Sequence, residues 1–150
     1  MKLEDEIKQN KPFKNEFQKL MLNISFTGSW LNGVFLNHLK PFGITPHQYN
    51  VLRILKGKYP ESYCNQDITQ RMIDRSSNAT RIVDKLKQKG FVTRNEDSVD
   101  RRLVNIKITD SGLDLLDEIE KSMSKMITQM PAFDEDRAKL MNLWLDELRG

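Results

Sequence analysis

Residues 65–112 read NQDITQRMIDRSSNATRIVDKLKQKGFVTRNEDSVDRRLVNIKITDSG, and the fold turns on how this stretch is parsed. Asn65 is an N-cap residue type, and Ile68 and Met72 follow four apart, which predicts a short helix from Gln66 with one inward face. Beyond Ile73-Asp74-Arg75, Ser76 is again an N-cap type and Gly90 a helix stop, which predicts a second helix running to Lys89. At about 100° per residue, Ala79, Ile82, Val83 and Leu86 fall on one arc of that helix. Roughly opposite lie Ser77, Arg81, Asp84 and Gln88, with Thr80 and Lys85 on the flanks.

Two β-prone runs follow, Phe91–Arg94 and Leu103–Ile108, and in the second Val104, Ile106 and Ile108 alternate with Asn105 and Lys107. The polar loop between them ends in Asp100-Arg101-Arg102. A hairpin this small owns no core, so it packs on the helices and projects its tip. A helix-turn-helix followed by a basic hairpin is the plan of a winged-helix DNA reader. The residues expected to contact DNA are Ser76, Ser77, Asn78, Thr80, Arg81, Lys85 and Gln88 on the helix, and Asp100, Arg101 and Arg102 on the wing. Arg forks onto guanine O6 and N7, and Ser, Thr, Gln and Lys reach base edges or phosphates. A wing Arg suits the negative minor groove, and Asp100 is placed to hold one Arg in a fixed pose. A polar helix face alone would equally describe a solvated surface helix; the hairpin placed directly after it favours DNA contact.

The ends of the chain carry longer amphipathic patterns. Phe13, Phe17, Leu20, Ile24, Leu31, Phe35, Leu39 and Phe42 recur in steps of three, four or seven. They predict a helix of roughly 28 residues, about 40 Å long, ending near Pro41 and Gly43. A second long helix is expected after Thr109, carrying Leu113, Leu116, Ile119, Met123, Met126, Ile127 and Met130 and stopping at Pro131. A third opens near Asp134 with Leu140, Met141, Trp144, Leu145 and Leu148. In a monomer these faces would expose a large apolar surface, so a homodimer is expected, with an intrachain bundle as the alternative. Phe13, Phe17, Leu20, Met123, Ile127, Leu140, Trp144 and Leu148 are its interface candidates. Between these ends, Thr45 reads as a cap with Pro46 at N1, followed by Tyr49, Leu52 and Leu55 facing inward. Tyr63-Cys64 reads as a short strand pairing with the wing.

Charge is distributed to match. Net charge is +3 over 150 residues, yet residues 65–109 carry ten Lys and Arg against six Asp and Glu, whereas residues 110–150 carry five against ten. The basic middle favours a polyanion partner and the acidic C-terminus a different task. Enzymatic chemistry has little support. The two histidines, His38 and His47, sit on different predicted helices, and no metal-ligand spacing, Gly-rich phosphate loop or nucleophile elbow occurs. No metal or cofactor is expected. A single Cys64 leaves no intramolecular disulfide, and no feature beside it marks a redox thiol. No run approaches the ~20 apolar residues of a membrane span, and the N-terminus has no apolar signal core, so a cytoplasmic location is expected.

ITPHQYNVLRIL (44–55), SNATRIVDKLKQKGFVTR (77–94), DRR (100–102) and KITDSG (107–112) together resemble the MarR (multiple antibiotic resistance regulator) family, in order and spacing across nearly the whole chain. Asp100 and Arg102 match the family's Asp-any-Arg wing pattern. One departure is Ile73-Asp74, where members often carry Gly-Val or a similar apolar pair. The resemblance implies a mainly α winged helix-turn-helix protein. Residues 43–109 would form the DNA-binding region, and residues 1–42 and 110–150 would interlock into a two-fold dimer. It implies a transcriptional regulator, a repressor in the commonest case, that binds an inverted-repeat operator in double-stranded DNA. It also implies an apolar pocket between reader and dimer helices in which a small aromatic effector loosens DNA binding. Trp30, Val34, His38 and Leu116 are its candidate lining, their other reading being plain packing. The alternative for the chain as a whole is a winged-helix protein-interaction module without DNA binding.

Overall fold

The computed structural model describes residues 2–96, 104–128 and 134–150. Their order is α1 (Leu3–Glu6), α2 (Glu16–Leu39), a 3-10 turn (Lys40–Phe42), α3 (Pro46–Lys56), α4 (Asn65–Arg71), α5 (Ala79–Gln88), β1 (Val92–Glu96), β2 (Val104–Ile108), α6 (Asp110–Thr128) and α7 (Glu135–Arg149). This is the mainly α, hairpin-bearing winged helix that the sequence predicts.

Side-chain caps set most boundaries. Thr45 accepts from the Gln48 N–H and the Gln48 side chain accepts from the Thr45 N–H, a reciprocal capping box that starts α3 with Pro46 at N1. Thr109 Oγ1 accepts from the Gly112 N–H at 3.1 Å, and Asp134 Oδ1 from the Arg137 N–H at 2.8 Å, which open α6 and α7 where expected. α5 ends in Gly90 at φ 77°. The Phe91 N–H bonds to the Leu86 carbonyl and the Gly90 N–H to the Lys87 carbonyl, a Schellman motif.

Three starts differ from expectation. α2 begins at Glu16 because Asn15 Oδ1 takes the Gln18 N–H at 2.9 Å, so the helix is 24 residues plus the 3-10 turn rather than about 28. Cys64, not Asn65, caps α4, with its Sγ accepting from the Asp67 N–H at 3.5 Å. The reason is tertiary: Tyr63 is already bridged to Ile106, which holds the chain extended up to Cys64. Asn78, not Ser76, caps α5, because Ser76 is held by Asp74 as described below.

β1 and β2 pair antiparallel from Val92↔Ile108 to Glu96↔Val104. Ile106 and Ile108 are buried and Val104 half-buried, as the alternation predicts. The hairpin closes over one core made by Leu52 and Leu55 of α3, Ile68 of α4, Val83 and Leu86 of α5, and Leu116 and Ile119 of α6. The outer helices take little part in it. α2 buries only Leu39, and α7 buries nothing. An open groove of about 590 Å³ runs between them, lined by Leu20, Ile24, Leu31, Met141, Trp144 and Leu148.

The first turn of α6 presses on the base of the hairpin. A Cβ at Gly112 would lie 2.7 Å from Ile108 Cγ1, and closer still to the Phe91 carbonyl oxygen. That contact explains the glycine in the TDSG run. Since a carbonyl of the backbone cannot move aside like a side chain, Gly112→Ala is expected to destabilise the fold by about 1–3 kcal/mol. For a chain of this size the loss corresponds to roughly 2–4 °C in Tm per kcal/mol. Thermal denaturation checks it, and an unchanged Tm would contradict the close approach.

Candidate nucleic-acid interface

α5 presents two unlike faces. Ala79, Val83 and Leu86 are buried and Ile82 is half-buried against the core, while Thr80, Arg81, Lys85 and Gln88 are exposed. Thr80, Arg81, Asp84, Lys85 and Gln88 follow the i, i+1, i+4, i+5, i+8 spacing of a single helical face. The one acid on it is neutralised: Arg94 of β1 pairs with Asp84 at 2.6 Å. Arg81 is exposed, and among the described residues its guanidinium has no partner. Net positive charge therefore remains on this face beside the N-terminal end of the helix, a combination suited to the edges and phosphates of a major groove.

The turn into α5 is built around Asp74. Its Oδ1 accepts from the Ser76 N–H at 3.0 Å and the Ser76 hydroxyl at 2.6 Å. Its Oδ2 accepts from the Ser77 hydroxyl at 2.7 Å and stands 3.2 Å from His47 Nε2 on α3. The hydroxyl of Ser76, then that of Ser77, then His47, hold the Asp74 carboxyl well below the usual carboxylate range. Ser76 and Ser77 are therefore spent on the turn. Asn78 is spent as the cap, accepting from the Arg81 N–H at 3.0 Å. Ile73 before them is 90% exposed, and its N–H is tied to Asn50 Oδ1 at 3.0 Å. The departure at Ile73-Asp74 is thus a different turn chemistry, an acceptor hub in place of an apolar pair. Neither Asp74 nor His47 was singled out for a role here on sequence grounds, although an Asp two residues before a Ser is an Asx-turn pattern.

The other expected sites divide. Asp100, Arg101 and Arg102 lie outside the described residues. Trp30, 55% exposed, and Val34 line an open recess of about 430 Å³ along α2 with Phe26, Ser29, Gly33 and Asn37. His38 is half-buried, with its ring 6.2 Å from that of Phe42; its Nε2 is buried and has no partner among the described residues. Leu116 departs from this group. It is fully buried in the core and lines neither recess, because it lies with Ile119 on the face of α6 turned to the reader. Of the interface candidates, Phe17 is 80% and Trp144 60% exposed, with Leu20, Leu140 and Leu148 also exposed and Phe13 half-buried. Met123 instead packs on the reader, where the Tyr49 hydroxyl donates to its Sδ at 3.9 Å. The Ile127 side chain lies outside the described residues. Cys64 Sγ donates to Asp67 Oδ2 at 3.2 Å, a local capping role, and that bond heads the causes that lower the Asp67 carboxyl.

Because the Asp74 carboxyl is depressed in the folded state, its contribution to stability is present above the ordinary carboxylate range and is lost as the pH falls below it. Asp74→Ala is accordingly expected to be less stable than the parent at pH 7, with the difference shrinking below about pH 4. Urea unfolding at pH 7, 5 and 3 checks this. A constant difference across that range would contradict the hub.

The MarR family model matches residues 44–104, the segment that holds this site. The regulator MhqR of Bacillus subtilis (strain 168) is 31% identical over 114 residues, 75% of this chain and 76% of that protein. The regulator YkoM of the same organism is 36% identical over 80 residues, 53% of this chain and 51% of that protein, so the chain spans about half the length of that relative. Among solved structures, the transcriptional repressor CouR bound to a 23-mer DNA duplex superposes with a TM-score of 0.76 at 21% identity, over 94% of this chain and 100% of that one. No helix of the described residues is long and apolar enough to cross a membrane. The chain belongs to the MarR family of transcriptional regulators.

Proposed function

We propose that this protein is a sequence-specific DNA-binding transcriptional regulator, a repressor that acts in the cytoplasm as a homodimer on an inverted-repeat operator, with no enzymatic activity. The observation that carries this reading is the outer face of α5: Arg81, without a partner among the described residues, beside Thr80, Lys85 and Gln88, on a helix whose entry is stapled by Asp74 and whose acid is cancelled by Arg94. Residues 43–109 form the reader in this account, and residues 1–42 and 110–150 the dimerisation helices. The exposed apolar faces of α2 and α7 support that division, since a second copy would cover them. Two recognition helices would then enter successive major grooves about 34 Å apart. Asp100, Arg101 and Arg102 are assigned to the flanking minor groove.

A CouR from Rhodococcus jostii RHA1, similar in fold to this chain, has been solved with p-coumaroyl-CoA. For this chain a small aromatic effector is proposed at the recess of Trp30 and Val34; His38 lies one turn beyond, outside its lining, with its buried Nε2 without a partner among the described residues. Leu116 has no place in that site.

Arg81 and Arg102 are expected to fail in different ways. Arg81→Ala removes a base contact, costing about 1–3 kcal/mol on the cognate duplex and little on random DNA. Arg102→Ala weakens both duplexes more evenly and makes the salt slope shallower by about one unit. Fluorescence anisotropy on upstream intergenic DNA and on a scrambled duplex, each titrated with salt, separates the two. Equal losses on both duplexes for Arg81→Ala would overturn the base-reading role of α5.

A further inference from the structure

The reader meets the C-terminal helices where α3 packs on α6. Leu52 and Leu55 of α3 and Leu116 and Ile119 of α6 are buried in one cluster there. Close packing of these side chains and the contact of Gly112 with the base of the hairpin set the crossing of the two helices at the start of α6; small rotation and sliding farther along α6 are left to contacts beside the seam. Beside this seam lies an ionic lattice. Lys56 Nζ is 2.8 Å from Asp117 Oδ1 and 3.3 Å from Glu120 Oε2, and Arg53 pairs with the other oxygen of Glu120. Arg53 and Lys56 are three apart on α3, and Asp117 and Glu120 three apart on α6, so each pair shares a helix face. The Tyr49 contact to Met123 continues the same line along α6.

The bond between Lys56 and Asp117 favours the charged form of both partners. The hydrogen bond to Asp117 raises the Lys56 ammonium, and the same bond lowers the Asp117 carboxyl. Exposed ion pairs of this kind add little to folding stability. What a bridged ammonium does add is direction. One cation touching two carboxylates a turn apart restrains rotation and sliding together, in addition to what the leucine seam fixes.

We propose that Lys56 is a positioning residue for operator recognition: by bridging Asp117 and Glu120 it sets how the reader sits on α6, and so which half-site spacing the dimer accepts. The inference rests on the dimeric DNA-binding reading above. A turn of B-DNA is 10–10.5 base pairs in about 34–36 Å, so a shift of about 3.4 Å between recognition helices moves the preferred spacing by about one base pair.

The test is in vitro selection from a pool of random-sequence duplexes with the full-length chain, read by sequencing. The parent is expected to enrich an inverted repeat of one spacing. Lys56→Ala should enrich the same half-site sequence over a spread of spacings about one base pair to either side. Lys56→Arg, which keeps a cation able to bridge both carboxylates, should restore the single spacing. The pair Asp117→Asn with Glu120→Gln should reproduce the spread. None of the three variants touches the core, so all are expected to fold. A single parental spacing with Lys56→Ala would overturn the positioning role while leaving DNA binding intact. Loss of the half-site sequence with Lys56→Ala would overturn it as well. A parental pool with no enriched half-site would instead overturn the DNA-binding reading on which it rests.

Discussion

α2 is the longest element among the described residues, yet of its 24 residues only Leu39 is buried, and α7 buries none. Phe17, Met21, Leu140 and Trp144 stand in water along these helices. Contiguous apolar surface of this kind is unfavourable for a free monomer, and a two-fold partner would cover it with the same surface. Every other feature takes its meaning from that constraint. A reader held on one end of a two-fold frame has a mate at a fixed distance, and only then does the orientation of α5 translate into an operator.

Different forces do different parts of this work. The core beneath α5 is apolar and holds the helix in place, but its contacts carry no information about sequence. Asp74 organises the turn with bonds to two serines and a histidine, so the N-terminal end of α5 is presented in one conformation. Arg94 pairs with Asp84, the acid of the outer face, and among the described residues no group pairs with the Arg81 guanidinium. At the other side of the reader, Lys56 and Arg53 meet the acidic face of α6. The acidic excess of the C-terminal residues thus supplies a counterpart to the reader's cations, in addition to whatever it does at the dimer surface.

Much of this was legible in the chain, and the reasons differ by element. Thr45-Pro46, Thr109, Asp134 and Gly90 are local signals whose partners lie within a few residues, so the ends they mark came out as read. The hairpin was legible because Val104, Ile106 and Ile108 alternate over a single buried face. The starts of α4 and α5 were not. Cys64 prevails over Asn65 because of a strand bridge 43 residues away in sequence, and Asn78 over Ser76 because Asp74 has already taken the serine. Leu116 was misplaced for a related reason: helical periodicity says that a face is covered, but not whether the reader, a ligand or a second copy covers it. The ionic lattice on α3 and α6 joins residues 61 to 67 apart, a separation at which charge pattern along a chain carries no pairing information.

Sedimentation equilibrium of the full-length chain at micromolar concentration tests the two-fold frame most directly. The account predicts a single folded species of twice the 17.6 kDa chain mass. A well-folded species at the mass of one chain, with the apolar faces of α2 and α7 open to solvent, would contradict it.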